Sequence, residues 1–216
     1  MSEQIRDILF EYLNWIIFLP LILAVKNYKS YTAALKYVAW YLVLSAATQV
    51  ISFALWKMST NNYPILHIYT LLEYFVILSF YSAVLEGFIS KLVTRLLLYA
   101  FLLFSVLDSL FIESVFSFNT YSRSIEALIL ITLAICWFIK IVGETEEERA
   151  GSQGINYINS GFFIYFSSSV IMFSYSSFIE KMSINSRLNV WTIHTFLVVQ
   201  LYVLIFIGLW KAKKAR

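Results

Sequence analysis

The chain alternates between long apolar segments and short polar connections. Seven apolar segments can be drawn, at residues 8–25, 32–56, 64–85, 92–111, 121–142, 157–179 and 190–210. Each is close to the roughly 20 residues that an α-helix needs to cross the ~30 Å hydrocarbon core of a bilayer. Because the connections are short, neighbouring helices are expected to be antiparallel. The pattern predicts an all-α, polytopic membrane protein, with seven transmembrane helices forming a single domain over residues 1–216.

Composition agrees with lipid as the solvent of this chain. Hydrophobic residues make up 60% of the sequence and charged residues 13%, and the mean hydropathy is +0.75. Soluble domains carry about 25% charged residues. The single cysteine, Cys136, excludes an intrachain disulfide and a cysteine-based zinc site. The first segment follows Glu3, Arg6 and Asp7 instead of a basic region, so we expect a membrane helix rather than a cleaved signal peptide.

The longest connection, residues 143–156, is acidic. It contains Glu144, Glu146, Glu147 and Glu148. Consecutive carboxylates on a flexible segment repel one another and do not converge on a metal. We therefore expect a solvated loop at this position.

The distribution of lysine and arginine predicts an orientation. Eleven of the 16 lie in or beside the first, third and fifth connections and the C-terminal tail, and five lie on the other side. Positive charge is enriched in cytoplasmic loops. A multi-pass protein of the cell membrane is therefore predicted, with its N-terminus outside and its C-terminus in the cytoplasm. Its expected partners are membrane lipids and a cytoplasmic or membrane signalling partner, and no nucleic acid is expected.

The third segment is apolar enough to cross a bilayer, yet it carries His67 and Glu73. At 100° per residue, these two side chains fall with Thr70 and Tyr74 in one sector that covers about a third of the helix. Ionisable groups at membrane depth are costly and normally face a protein interior or a water-filled cavity. This sector is therefore predicted to line a cavity.

Polar side chains of several other segments fall in the same outer half of the membrane. The candidate cavity residues are His67, Glu73, Tyr74, Asp108, Glu126, His194, Gln200, Glu11 and Gln49. Arg123 and Glu11 have a second interpretation, as solvated residues at the outer interface. Imidazole and carboxylate groups bind zinc and other divalent ions, so His67, His194 and Glu73 are candidate metal ligands. No cofactor is assigned.

The third and seventh segments share a motif. His67-x5-Glu73 and His194-x5-Gln200 have the same spacing and enter the membrane from the same side. Parallel repeats in a three-plus-one-plus-three arrangement, a form known among transporters, would relate them. In layout this arrangement resembles the sugar-transporting SWEET proteins. Those proteins carry proline hinges in both triple-helix bundles and a Pro-Gln motif, whereas this chain has only two prolines.

Several functions are compatible with these patterns. The first is a sensor or receptor that binds a small ligand, ion or proton in an outward-facing polar cavity, and the one-sided polar zone and basic tail favour it. The alternatives are an intramembrane enzyme that acts on lipid through histidine and carboxylate chemistry, a proton-coupled small-solute transporter, and an oligomeric pore. No HExxH, GxSxG, P-loop or GxGxxG motif occurs in the sequence.

Overall fold

The fold is that of a computed structural model, which describes residues 13–212 apart from the side chain of residue 14. Within these residues all regular elements are helices and there is no strand. The all-α prediction is confirmed. Glu11 and residues 213–216 of the basic tail lie outside the described part of the chain.

Nine α-helices follow one another in the described residues. They are α1 (Phe18–Asn27), α2 (Ala33–Lys57), α3 (Tyr63–Val84), α4 (Lys91–Phe111), α5 (Thr120–Val142), α6 (Glu146–Gly151), α7 (Gln153–Ser174), α8 (Ser176–Glu180) and α9 (Ile184–Lys211). Short 3₁₀ helices, Leu13–Ile17 and Tyr28–Ser30, flank α1. Five helices, namely α2, α3, α4, α5 and α9, are long and apolar enough to cross a membrane, which is consistent with a helical membrane protein.

Within the described residues, two of the seven predicted segments are not among these five helices. The first contains α1, which has 10 residues, and residues 8–12 of this segment lie outside the described part of the chain. The sixth contains α7, which is long enough at 22 residues but is rich in asparagine and serine. Because α7 packs along α5 and α9, with Asn159 and Ser169 fully buried, these polar groups face other helices instead of lipid. By length and composition, the described helices support five membrane spans and not the predicted seven. The internal repeat remains a prediction.

The acidic connection, predicted to be a solvated loop, contains the short helix α6. The Thr145 hydroxyl accepts a hydrogen bond from the backbone N–H of Glu148 at 3.4 Å. The Glu148 carboxylate in turn accepts from the backbone N–H and the hydroxyl of Thr145, at 2.9 Å and 2.8 Å. This reciprocal pair is a capping box, and it starts a helix locally. Residues 145–150 are exposed to solvent, as predicted, but part of the segment is a helix and not a loop, because the capping box starts one.

The long helices form one bundle. Besides α5 and α9 on either side of α7, α2 packs along α3, and α3 also contacts α4 and α5. Helix α1 packs against α2 and α9. Helix α4 lies at the edge of the bundle and exposes the apolar side chains Leu92, Leu96, Leu103, Leu110 and Phe111. Such a face is suited to lipid contact.

The bundle has two ends, each formed by the connections between helices. The end with residues 58–62, 112–119 and 181–183 is called the Asn62 end, and the end with residues 28–32, 85–90 and 143–145 is called the Glu86 end. Towards the Glu86 end, the Tyr81 hydroxyl donates to Asn159 Oδ1 at 2.9 Å, and Asn159 Nδ2 donates to the Ala134 carbonyl oxygen at 3.2 Å. These bonds tie α3, α5 and α7 together.

Helices α7 and α9 approach most tightly at two glycines. A Cβ atom on Gly154 would lie 2.7 Å from the carbonyl oxygen of Gly208 and 2.6 Å from Cα of Ala212. Small residues permit this close contact between membrane helices.

Candidate functional site

Three ionisable side chains meet inside the bundle where α3 packs against α5. Arg123 Nη1 donates to Glu73 Oε2 and, at 2.7 Å, to Glu126 Oε2. The side chains of Glu73 and Glu126 are 1% and 0% exposed, and that of Arg123 is 12% exposed. Buried charges require pairing of this kind. These three residues are called the Arg123 triad.

Local sequence explains how the triad forms. Arg123 and Glu126 are three residues apart on α5, so they lie on the same face of the helix. Glu73 is on the buried face of α3 together with His67, Thr70 and Tyr74. This buried face is the polar sector described above, and α3 contacts α5. The helix packing therefore brings a carboxylate of α3 to the arginine of α5.

The guanidinium of Arg123 makes cation–π contacts with two aromatic rings. The Tyr69 hydroxyl donates to Glu73 Oε1 at 2.8 Å and lies 2.9 Å from the Ser45 hydroxyl on α2. Arg123 Cζ lies 5.5 Å from the centroid of the Tyr69 ring and 4.9 Å from that of Phe173 on α7. Cation–π contacts stabilise a desolvated cation. Four helices, α2, α3, α5 and α7, are thus coupled through one arginine.

Two buried carboxyl groups each have an oxygen without a hydrogen-bond partner in the described structure. These oxygens are Glu126 Oε1 and Asp108 Oδ1. Asp108 is 0% exposed, and its other oxygen accepts from the Ser122 hydroxyl at 2.7 Å. An unsatisfied oxygen costs more on an ionised carboxylate than on a neutral acid.

A cavity of about 340 Å³ lies between the triad and the Asn62 end. Most of its wall is aromatic, and we call it the aromatic lobe. Its lining residues are Asn62, Tyr63, Leu66, Tyr69, Thr70, Phe118, Asn119, Arg123, Phe173, Trp191 and His194. The Trp191 ring lies 5.9 Å from that of Phe118 and 5.7 Å from that of His194, centroid to centroid. Connected rings therefore form one wall.

A second cavity of about 320 Å³ adjoins the first. It is rich in hydroxyl groups, and we call it the hydroxyl lobe. Its hydroxyl-bearing lining residues are Tyr41, Ser45, Thr48, Ser52, Tyr69, Tyr165, Thr195 and Tyr202. Gln49 also lines it, and both lobes share Asn62, Tyr69, Arg123, Trp191 and His194. Arg123 therefore stands where the two lobes meet.

Two polar atoms in the cavity wall have no hydrogen-bond partner in the described structure. Asn119, which is 6% exposed, has a free Oδ1, and it lines the aromatic lobe. The buried Ser52 hydroxyl is likewise unpaired, and it lines the hydroxyl lobe. Buried polar groups normally have partners, so these two atoms are unsatisfied behind the surface of the cavity.

The two histidines lie in separate surroundings. His67 Nε2 donates to the Ser117 carbonyl oxygen at 3.1 Å, which leaves Nδ1 to accept from the Ser109 hydroxyl at 3.4 Å. His194 Nε2 lies 3.4 Å from the Tyr165 hydroxyl. His67 thus ties α3 to the connection between α4 and α5, whereas His194 forms part of the cavity wall.

Of the remaining candidate residues, some line the cavity and others make contacts between helices. Gln49 lines the hydroxyl lobe, and Glu73 and Glu126 pair with Arg123 without lining a lobe. The Tyr74 hydroxyl donates to the Leu97 carbonyl oxygen at 3.0 Å, which is a contact between α3 and α4. Both amide atoms of Gln200 are buried without a partner in the described structure.

The structure does not bring the candidate metal ligands together. Among the described residues, no group of three or more histidine, cysteine or acidic side chains could hold a metal ion. His67 is bonded to Ser117 and Ser109, and Glu73 is occupied by Arg123 and Tyr69. The proposed metal site on His67, His194 and Glu73 is therefore not formed.

Three important residues of the site were missing from the sequence-based candidates. Arg123 was placed at the outer interface, although its spacing to Glu126 allowed a shared face on one helix. Trp191 and Tyr69 were not identified, because an aromatic residue in a membrane segment gives no signal for a cavity. Comparison of the chain with protein-family models, with curated proteins and with solved structures found no significant match.

Proposed function

We propose that the chain is a seven-helix integral membrane protein that binds a small ligand in the two-lobed cavity and acts as a receptor or sensor. The observation that carries this proposal is the cavity itself. Its two lobes measure about 340 Å³ and 320 Å³, within the range of about 300–1,000 Å³ for ligand pockets. Its wall combines aromatic rings with a few polar groups, as such pockets do.

The proposed topology has the Asn62 end outside. The excess of lysine and arginine at the opposite end favours a cytoplasmic C-terminus. In this topology the segment at residues 8–25 is the first span. Helix α7 is also a span, because α5 and α9 shield its polar side chains from lipid. The cavity then opens towards the outside, at the level where Asn62 and Asn119 precede α3 and α5.

Ligand occupancy has a direct route to the helix packing. The cavity is lined by residues of α2, α3, α5, α7 and α9, and Arg123 couples four of these helices. A ligand that binds one arrangement of these helices better than another shifts the population between them. A cytoplasmic or membrane partner, docking near the basic tail, would read that shift, and lipids surround the bundle.

A screen for stabilising ligands tests this proposal. The protein is placed in lipid nanodiscs, and its unfolding is followed with a broad library of small molecules. A ligand present at 100 times its dissociation constant stabilises the folded state by about 2.7 kcal/mol. We expect at least one such compound, and its effect should disappear in Trp191→Ala, which removes part of the cavity wall.

Trp210→Ala is the matched control. Trp210 is on the same helix but lies at the Glu86 end and is 70% exposed, so this variant should keep the stabilisation. A library without any stabilising compound, or stabilisation that survives Trp191→Ala, would contradict the proposal.

A further inference from the structure

The cavity has one side chain of fixed charge among its described lining residues, Arg123. Glu73 and Glu126 both accept from Nη1 of this arginine. Neither carboxyl group lines a lobe, so the arginine is neutralised from the side away from the cavity. The charge of Arg123 is thus already paired before a ligand arrives.

The two carboxyl groups are buried behind the arginine and do not face the cavity. Their side chains are 1% and 0% exposed, and neither lines a lobe. A charge buried at this depth requires a partner, and Arg123 is the partner of both. The described wall of the cavity therefore offers a ligand no unpaired charge.

The uncharged part of the wall is rich in hydrogen-bonding groups. The hydroxyl lobe is lined by several residues with hydroxyl groups, and the amide residues Asn62 and Gln49 line it as well. Hydroxyl groups donate and accept, and an amide group has both a donor and an acceptor. A ligand with several hydroxyl or amide groups would match them.

The aromatic lobe adds a requirement on shape. Rings of Phe118, Trp191 and His194 follow one another with centroids 5.9 Å and 5.7 Å apart. A chain of rings offers apolar contact area to a flat or weakly polar face. The same ligand must therefore carry an apolar face next to its polar groups.

We propose that the ligand of this cavity is an electrically neutral molecule that bears several hydroxyl or amide groups and one apolar face. This inference rests on the proposed function and specifies its ligand class. A charged ligand would bring an unpaired charge to a site whose arginine is already paired, and desolvation of that charge would oppose binding. The same chemistry is available from a free polyol and from the headgroup of a neutral glycolipid.

Four probes that share a phenyl ring separate the possibilities. They are phenyl β-D-glucoside (neutral, with hydroxyls), phenyl phosphate (anionic), phenyltrimethylammonium (cationic) and cyclohexylbenzene (apolar, without hydroxyls). Binding is measured by calorimetry in phosphatidylcholine nanodiscs, because glucoside or maltoside detergents would compete. We expect phenyl β-D-glucoside to bind at least about tenfold more tightly than the other three probes, which corresponds to the loss of one good interaction.

Variants locate the binding. Trp191→Ala should weaken phenyl β-D-glucoside binding by about tenfold or more, as removal of a buried aromatic contact does. Trp210→Ala should leave it unchanged. Nanodiscs that contain a monoglucosyl diacylglycerol distinguish a glycolipid headgroup from a free polyol as the ligand. If this lipid competes with phenyl β-D-glucoside, the ligand is a headgroup. If the lipid does not compete, the ligand is a free compound.

The inference and the proposed function fail in different ways. Preferential binding of phenyl phosphate, phenyltrimethylammonium or cyclohexylbenzene that is lost in Trp191→Ala would overturn the neutral ligand class and leave the binding function intact. Absence of binding by all four probes would also overturn the inference, and the broad library screen would then judge the function separately.

Discussion

Removal of the arginine from the Arg123 triad should destabilise the protein far more than removal of either acid. In Arg123→Met, Glu73 and Glu126 lose their shared donor while both remain buried. Breaking a buried ion pair by deleting one partner costs about 3–5 kcal/mol. We expect the free energy of unfolding to fall by about this amount, because the two carboxyl groups must then be neutralised or left unpaired.

Glu126→Gln is the informative companion variant. Glutamine has nearly the same size, its amide oxygen can still accept from Arg123, and Glu73 remains as the counter-ion, so the loss should be about 1 kcal/mol, the net value of one hydrogen bond. Adding Glu73→Gln to Arg123→Met should recover part of the loss, because one stranded acid is removed. The loss in this double variant minus the sum of the losses in Arg123→Met and Glu73→Gln gives the coupling energy.

The assay is reversible unfolding in mixed micelles, followed by circular dichroism. Lys91→Met is the matched control, since Lys91 and Glu86 form an ion pair of 2.8 Å at the surface, with side chains 70% and 65% exposed. We expect no measurable change in that variant, because exposed pairs contribute little. The reasoning is refuted if Arg123→Met is no more harmful than Lys91→Met, or if Glu126→Gln is as harmful as Arg123→Met.

Two further predictions concern the Glu86 end. Gly154→Ala should lower the free energy of unfolding by about 1–3 kcal/mol, the usual cost of overpacking, because its Cβ would lie 2.7 Å from the carbonyl oxygen of Gly208 in α9. Gly143→Ala, with its nearest atom at 3.5 Å, should be nearly neutral, and equal losses would contradict the close approach of α7 and α9. Hydrogen bonds from the backbone and hydroxyl of Thr145 lower the pKa of Glu148, so its stabilisation of α6 is present above the unfolded pKa of about 4 and is lost as the pH falls through the lower, folded value. Amide exchange in α6 should therefore accelerate in acid relative to the neighbouring amides. Thr145→Val removes the hydroxyl and keeps the backbone donor, so it should reduce that acceleration, and Glu148→Gln should abolish it.

The parts of the fold that sequence could predict are the continuous apolar helices. Helices α2 to α5 lie close to their predicted positions, because a bilayer requires about 20 apolar residues in each span. The ends of α7 were harder to predict, because its sequence is less apolar. A helix that is shielded by its neighbours can carry polar residues such as Asn159 and Ser169 inside the bundle. Helix α6 had a readable signal, the Thr145-to-Glu148 capping box, which the run of negative charge concealed.

The sequence could predict the acidic residues of the site but not which residues they contact. Glu73 could be recognised as a buried carboxyl that needs a partner, because an ionisable group at membrane depth is costly. Its partner, Arg123, lies near the start of α5, where a long side chain can equally reach water or turn inwards. The choice depends on how α3 and α5 pack, which spacing along one helix does not reveal. The matching spacing around His67 and His194 likewise says nothing about what each ring contacts.

The central claim is that an outward-facing cavity reaches the middle of the bundle, and labelling of one cysteine tests it most directly. Gln49→Cys is introduced into a Cys136→Ala background, since Cys136 is the single cysteine of the chain, and intact cells are treated with a membrane-impermeant maleimide. Gln49 is half-buried and lines the hydroxyl lobe, so the new cysteine should be labelled from outside, whereas Gly143→Cys at the Glu86 end should be labelled only after the membrane is permeabilised. The reverse pattern, or an unreactive cysteine at position 49 in a folded protein, would contradict the account.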